Sequence, residues 1–255
     1  MRRYGGKVVL ITGIGAGMGK QAALSFAAEG ATVVGCDLNA EALAATVATV
    51  EAAGGRIDGT APLNAGDAAA VAQWIEAAAA RHGRIDVLYN NAGWQAPFKP
   101  IDELPVADWD KNINLELNLV FYAVRAAWKH LKESRGVIIN IGSIAGTRGV
   151  EFVPQNVHGT AKGGVISLTQ QLAVEGGPFG IRAVCISPGF IETEATAFLV
   201  NDPPPALKEV WDRIPLRRVG QPADVVNAAL WLASDEAGWI TGINVVIDGG
   251  GSVLG

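Results

Sequence analysis

The chain has 255 residues, 49% of them hydrophobic and 18% charged, and a formal net charge of -5. That length suits one large α/β domain, or two small ones, with a substantial core. The acidic balance offers nucleic acid no surface, no stretch approaches the ~20 apolar residues of a membrane-spanning helix, and Cys36 and Cys185, far apart in apolar runs, suggest neither a disulfide nor a metal site.

The opening stretch, "MRRYGGKVVLITG", sets two arginines before a short apolar run without the small-residue cleavage site of a signal peptide, so the sequence predicts a cytoplasmic protein. Its β-branched run, 7–12, reads as a strand that leads into "TGIGAGMGKQAALSFAAEG". There Gly13, Gly17 and Gly19 allow a tight turn, close approach to a pyrophosphate and packing of the next helix, whose first N–H groups face the phosphates. A second strand, 32–37, ends on Asp37, 18 residues after Gly19. A carboxylate there accepts hydrogen bonds from ribose hydroxyls and repels a 2'-phosphate, which favours NAD over NADP; it could also begin the next helix beside Asn39.

A weaker run near 56–61 and clear ones at 84–90, 136–141, 181–187 and 244–248 continue the alternation with longer alanine-rich helical stretches. About seven strands in strand-helix order call for a parallel sheet covered on both faces. No linker or repeat divides residues 1–255, so one domain is expected. Prolines break the periodicity over 186–222, just past a predicted strand. Ligands bind beyond the carboxyl ends of such strands, so the segment from about 188 to 222 is expected to be a substrate lid. His82 and His130 fall near predicted helix ends, where the helix dipole is explanation enough.

"NVHGTAKGG", residues 156–164, sets His158 four positions before Lys162. In a helix the two share one face and could share a substrate, although two solvated neighbours would look the same. With "TGIGAGMG", "NNAG" (90–93), "IGSIAG" (141–146) and "SPG" (187–189), this stretch makes the chain resemble the short-chain dehydrogenase/reductase family over essentially its whole length. The resemblance implies a single Rossmann-like, doubly wound domain, nicotinamide-dependent hydride transfer and a homotetramer or dimer. Carried over by position, Gly13, Gly17, Met18 and Gly19 would hold the pyrophosphate and Asn64 would lie near the adenine. Asn90, Ala92 and Gly93 would line the cofactor, Pro188 to Thr193, including Gly189 and Ile191, would cover the nicotinamide, and Lys162 would bind its ribose.

The family's chemistry rests on a serine, a tyrosine and a lysine, helped by an asparagine. Ser143 and Lys162 are in place, but His158 stands where the tyrosine is expected. Counting from Trp109 to Phe121 without a gap puts Glu116 at the asparagine position, whereas a gap would put Asn114 there. An insertion inside a continuous helix would rotate its buried face, which favours Glu116. An unperturbed phenol ionises near ~10 and an imidazole near ~6.5, so a neutral histidine needs less help to act as a base. Ser143 would position an alcohol, His158 would take its proton, Lys162 would pass the proton on, and Glu116 would offset the lysine's charge.

Trp94, Phe152, Gln155, Phe190, Phe198 and Trp211 are candidates for an apolar substrate pocket with one orienting amide. The expected activity is interconversion of a secondary alcohol and a ketone with NAD. Loss of the tyrosine also admits a non-redox lyase or isomerase, or a silent NAD-binding protein. The apolar content of 114–131 and 163–174 offers a face for self-association.

Overall fold

The computed structural model describes residues 2–94, 98–149 and 153–253. Seven strands form one parallel sheet: β1 (Val8–Thr12), β2 (Thr32–Cys36), β3 (Arg56–Thr60), β4 (Val87–Asn90), β5 (Val137–Ile141), β6 (Arg182–Pro188) and β7 (Asn244–Ile247). Their order is β3-β2-β1-β4-β5-β6-β7, so the chain reverses direction across the sheet between β1 and β4. That reversal opens a crevice at the carboxyl ends of the two strands, the place where such sheets bind ligands.

β1, β2, β5 and β6 are rich in β-branched residues because they are buried on both faces, whereas the edge strands β3 and β7 are mostly half-buried or exposed. In β1, Val9 and Ile11 join a core with α1 (Gly17–Ala28) and α9 (Pro222–Leu232), while Val8 and Leu10 join a second core with α3 (Ala68–His82), α5 (Leu119–Ser134) and α6 (Asn156–Gly176). Each fully buried aliphatic side chain there contributes about 1.5–3 kcal/mol. Val33 and Leu43 bring β2 and α2 (Ala40–Ala52) into the first core.

Every predicted strand is present, with small changes at the ends. The expected strand at 84–90 begins at Val87, preceded by Asp86, whose carboxylate accepts from Nε and Nη2 of Arg84 and from the N–H of Val8. The proline-rich region carries more order than its broken periodicity suggested, holding α7 (Ala197–Asn201) and α8 (Pro205–Arg213). Pro205 opens α8, where its missing N–H is no loss. A parallel bridge between Ile191 and Gly220 ties the two ends of this segment together.

Cys36 and Cys185 are buried free thiols in β2 and β6, and burial pushes Cys185 up to about 11. His82 and His130 have specific partners besides any helix dipole: His82 meets Asp58 at 2.7 Å and His130 meets Glu76 at 3.4 Å. No described helix is long and apolar enough to cross a membrane.

Candidate active site

The loop after β1 is built to receive a dinucleotide. Gly13 has a φ of +74°, and a Cβ on it would lie 3.0 Å from the Cα of Ala92. A Cβ on Gly19 would overlap the carbonyl oxygen of Gly13 at 1.9 Å, so helix and loop can approach this closely only through glycine. Ala16 caps α1 without a side-chain bond, and the first turn has no acidic residue, so its own turn supplies no partner to the N–H groups that a phosphate would meet. The loop is braced by Asn91, a residue the sequence reading passed over: its amide donates to the carbonyls of Thr12 and Gly13, and the Thr12 hydroxyl accepts the N–H groups of Asn91 and Ala92. These features fit a nicotinamide dinucleotide.

Asp37 is fixed beside that loop, its two oxygens accepting the N–H groups of Gly15 (2.7 Å) and Asn39 (2.8 Å). Asn39, not Asp37, caps the following helix, its side-chain oxygen accepting the N–H of Ala42. Asn64 is exposed and holds the turn at Gly66. Asn90 is buried, its side-chain NH₂ donating to Asn140, which in turn donates to Thr169. Pro188 closes β6 and Gly189 packs so tightly on Asp248 that a Cβ would come within 2.7 Å.

Opposite this loop lies an acid-base cluster. α6 carries His158 and Lys162 one turn apart, and both face Glu116. Glu116 comes from a π-helical turn, Asn114–Asn118, between α4 (Val106–Ile113) and α5. Its carboxylate, only 3% exposed, has both oxygens 2.9 Å from Nδ1 of His158, and one of them 3.9 Å from Nζ of Lys162. Asn112, fully buried, donates to the other at 2.6 Å. Lys162 also donates to the carbonyl of Ile141 at 3.1 Å. Gly93 lies against the cluster, 3.8 Å from both Glu116 and Lys162 when measured from an added Cβ.

A carboxylate only accepts, so Nδ1 carries the imidazole hydrogen and a neutral ring keeps Nε2 bare. Of the two candidates, Glu116 is the one that meets His158, whereas Asn114 donates to the carbonyl of Gly66. A π-turn is the form in which a helix carries an extra residue, and nothing in the sequence marks it.

Ser143 follows β5, and its hydroxyl accepts the N–H of Ala145 at 3.1 Å, starting a short turn at Ile144–Gly146. The glycines of "NVHGTAKGG" explain how that turn docks on α6. A Cβ on Gly159 would sit 2.7 Å from the Ala145 carbonyl, and one on Gly146 would sit 2.6 Å from the Gly163 nitrogen. The turn after Ser143 therefore lies against the stretch of α6 that carries His158 and Lys162.

The aromatic candidates divide. Phe190 and Trp211 stack with centroids 4.7 Å apart, and Lys111 lies 4.0 Å over the Trp94 ring. Gln155 ends at the start of α6 and is partly buried, while Phe198 is 68% exposed. Phe152 lies outside the described residues.

A family model described as enoyl-(acyl carrier protein) reductase matches residues 13–252. The chain belongs to the short-chain dehydrogenase/reductase family. Over 249 residues, 97% of either chain, it is 39% identical to a (2S)-[(R)-hydroxy(phenyl)methyl]succinyl-CoA dehydrogenase subunit of Thauera aromatica. It is 38% identical over 249 residues to a 3-oxoacyl-[acyl-carrier-protein] reductase of Thermotoga maritima, covering 97% of this chain and 98% of that one. Among solved structures, a 7α-hydroxysteroid dehydrogenase complexed with NADH and 7-oxo glycochenodeoxycholic acid superimposes with a TM-score of 0.90 at 32% identity, over 97% of this chain and 95% of that chain. The family's dehydrogenases and reductases use nicotinamide cofactors.

Proposed function

We propose that the protein is an NAD-dependent dehydrogenase that interconverts a secondary alcohol and a ketone, with His158 as general acid and base. One observation carries the reading: the buried Glu116 carboxylate holds Nδ1 of His158 at 2.9 Å with both oxygens. An imidazole so held presents Nε2 to the crevice in the form that accepts a proton. A bound nicotinamide would supply the hydride acceptor or donor.

The residues then divide the work. Ser143 holds the substrate oxygen. His158 removes the hydroxyl proton at Nε2, and Glu116 stabilises the imidazolium that results. Lys162 and Glu116 bring opposite charges together, so the cluster is electrically balanced while the histidine is neutral. In the reductive direction the same nitrogen returns the proton. The segment 188–222 closes over the substrate, with Phe190 and Trp211 on its inner side and Trp94 and Gln155 opposite. A cytoplasmic location accords with this use of NAD.

A panel of alcohols and ketones offered with NAD or NADH, followed by the nicotinamide absorbance, tests the reading. Substrate consumed with no change in NADH would point instead to a lyase or isomerase using His158 and Glu116. NAD binding without turnover across the panel would point to a silent binder.

Asp37 supports the choice of cofactor. A carboxylate facing a 2'-phosphate brings like-charge repulsion, so NAD should bind at least ~10-fold more tightly than NADP, as a titration of both would show. Equal affinities would overturn the assignment. We also propose a homo-oligomer, supported by apolar side chains left in solvent on α5 and α6, where Phe121 is 49% and Val174 75% exposed. Sedimentation at micromolar concentration should show a dimer or tetramer; a monomer alone would contradict this.

A further inference from the structure

The N–H of Gly17 at the start of α1 is already taken. Glu194, 177 residues further along the chain, accepts it with Oε2 at 2.8 Å. The neighbouring Thr193 presses its methyl group on the same glycine, 3.1 Å from where a Cβ would be. α1 has neither a side-chain cap of its own nor an acidic residue in its first turn, so Glu194 supplies the negative charge that the helix N-terminus favours. Among the described residues this exposed carboxylate has no cation within ion-pair distance; Gly17 is its one hydrogen-bond partner.

Glu194 sits on a turn made rigid from several sides. The Thr196 hydroxyl accepts the N–H of Thr193 and donates to the carbonyl of Ile191. Ile191 bridges to Gly220, and Glu192 accepts from the Gln221 side chain at 2.7 Å. The turn that carries Glu194 is therefore held in place beside Gly17.

We propose that Glu194 competes with the cofactor pyrophosphate for the N-terminus of α1 and so sets cofactor affinity. This rests on the reading of the Gly13–Gly19 loop as a dinucleotide site. A pyrophosphate brings negative charge to the same N–H group, so Glu194 must yield before the dinucleotide seats. The stabilisation its cap gives the free protein is lost on binding and subtracts from affinity.

The experiment is a fluorescence titration of NADH into the full chain and three variants. Glu194→Gln removes the charge and Glu194→Ala the whole acceptor; both should tighten NADH binding by roughly three- to tenfold, the size expected for a charge at a helix N-terminus. Glu51→Gln, which removes an equal charge from the exposed end of α2, should leave affinity within about twofold. In the absence of NADH, the Gly17 amide should exchange its hydrogen faster in Glu194→Ala than in the parent. Unchanged or weaker binding in the Glu194 variants, while the parent binds NADH, would overturn the proposal alone. An equal gain in Glu51→Gln would assign the effect to net charge and overturn it too. Failure of the parent and every variant to bind NADH would overturn the cofactor reading and this inference together.

Discussion

Replacing His158 by alanine should lower the turnover of alcohol oxidation by about 100-fold or more, because positioned proton transfer contributes about 10²–10⁴-fold. NAD affinity should change little, since the imidazole is held by Glu116 and has no contact with the loop after β1. The protein should remain folded. Glu116 keeps Asn112 and Lys162, so its buried carboxylate is not stranded. Full activity in His158→Ala, measured on an alcohol the parent oxidises, would make the histidine a bystander. Proton transfer would then pass to Glu116, or to a water held by Ser143 and Lys162.

Glu116→Gln should be nearly as damaging, lowering turnover by about 100-fold, through orientation and not through contact with substrate. The carboxylate can only accept, whereas an amide can turn its NH₂ toward Nδ1. That would move the imidazole hydrogen to Nε2 and abolish the base while leaving the packing intact. The change also takes from Lys162 its negative neighbour at 3.9 Å, so a loss of roughly 1–3 kcal/mol in urea unfolding is expected alongside. A variant that stays folded and turns over normally would show that the carboxylate does not orient the histidine.

The centre of the sheet was legible because strands such as β1 and β5 are buried on both faces and so are written as apolar, largely β-branched runs, "KVVLIT" and "GVIINI". The glycine loop was legible for a similar reason: a Cβ at Gly19 has no room beside Gly13, and the sequence has to show that. The spacing of His158 and Lys162 transferred directly to one face of α6. Other parts of the site depend on contacts between distant segments. The π-turn that aims Glu116 at His158 has no residue signature, and its consequence, that Asn114 faces Gly66 instead, could not be read from spacing alone. Asn112 stood four residues before Glu116, a readable helical interval, but its role needs the burial of both groups to be known. Asn90 and Asn91 are adjacent in "NNAG", yet one faces the interior ladder and the other the glycine loop, a difference set by the pleat of β4 and its end. The grip of Glu194 on Gly17 spans 177 residues and was out of reach of any local pattern.

The most direct test of His158 as the proton acceptor is the pH dependence of alcohol oxidation in the parent and in His158→Tyr, on one substrate and at saturating NAD. Oxidation needs the base unprotonated, so activity is present above its ionisation and lost as pH falls through it. An unperturbed phenol ionises about 3.5 units above an imidazole. The tyrosine variant should therefore keep partial activity with its acid limb displaced to distinctly higher pH. Profiles that superimpose would contradict the account, because the ionisation that limits oxidation would then belong to some other group.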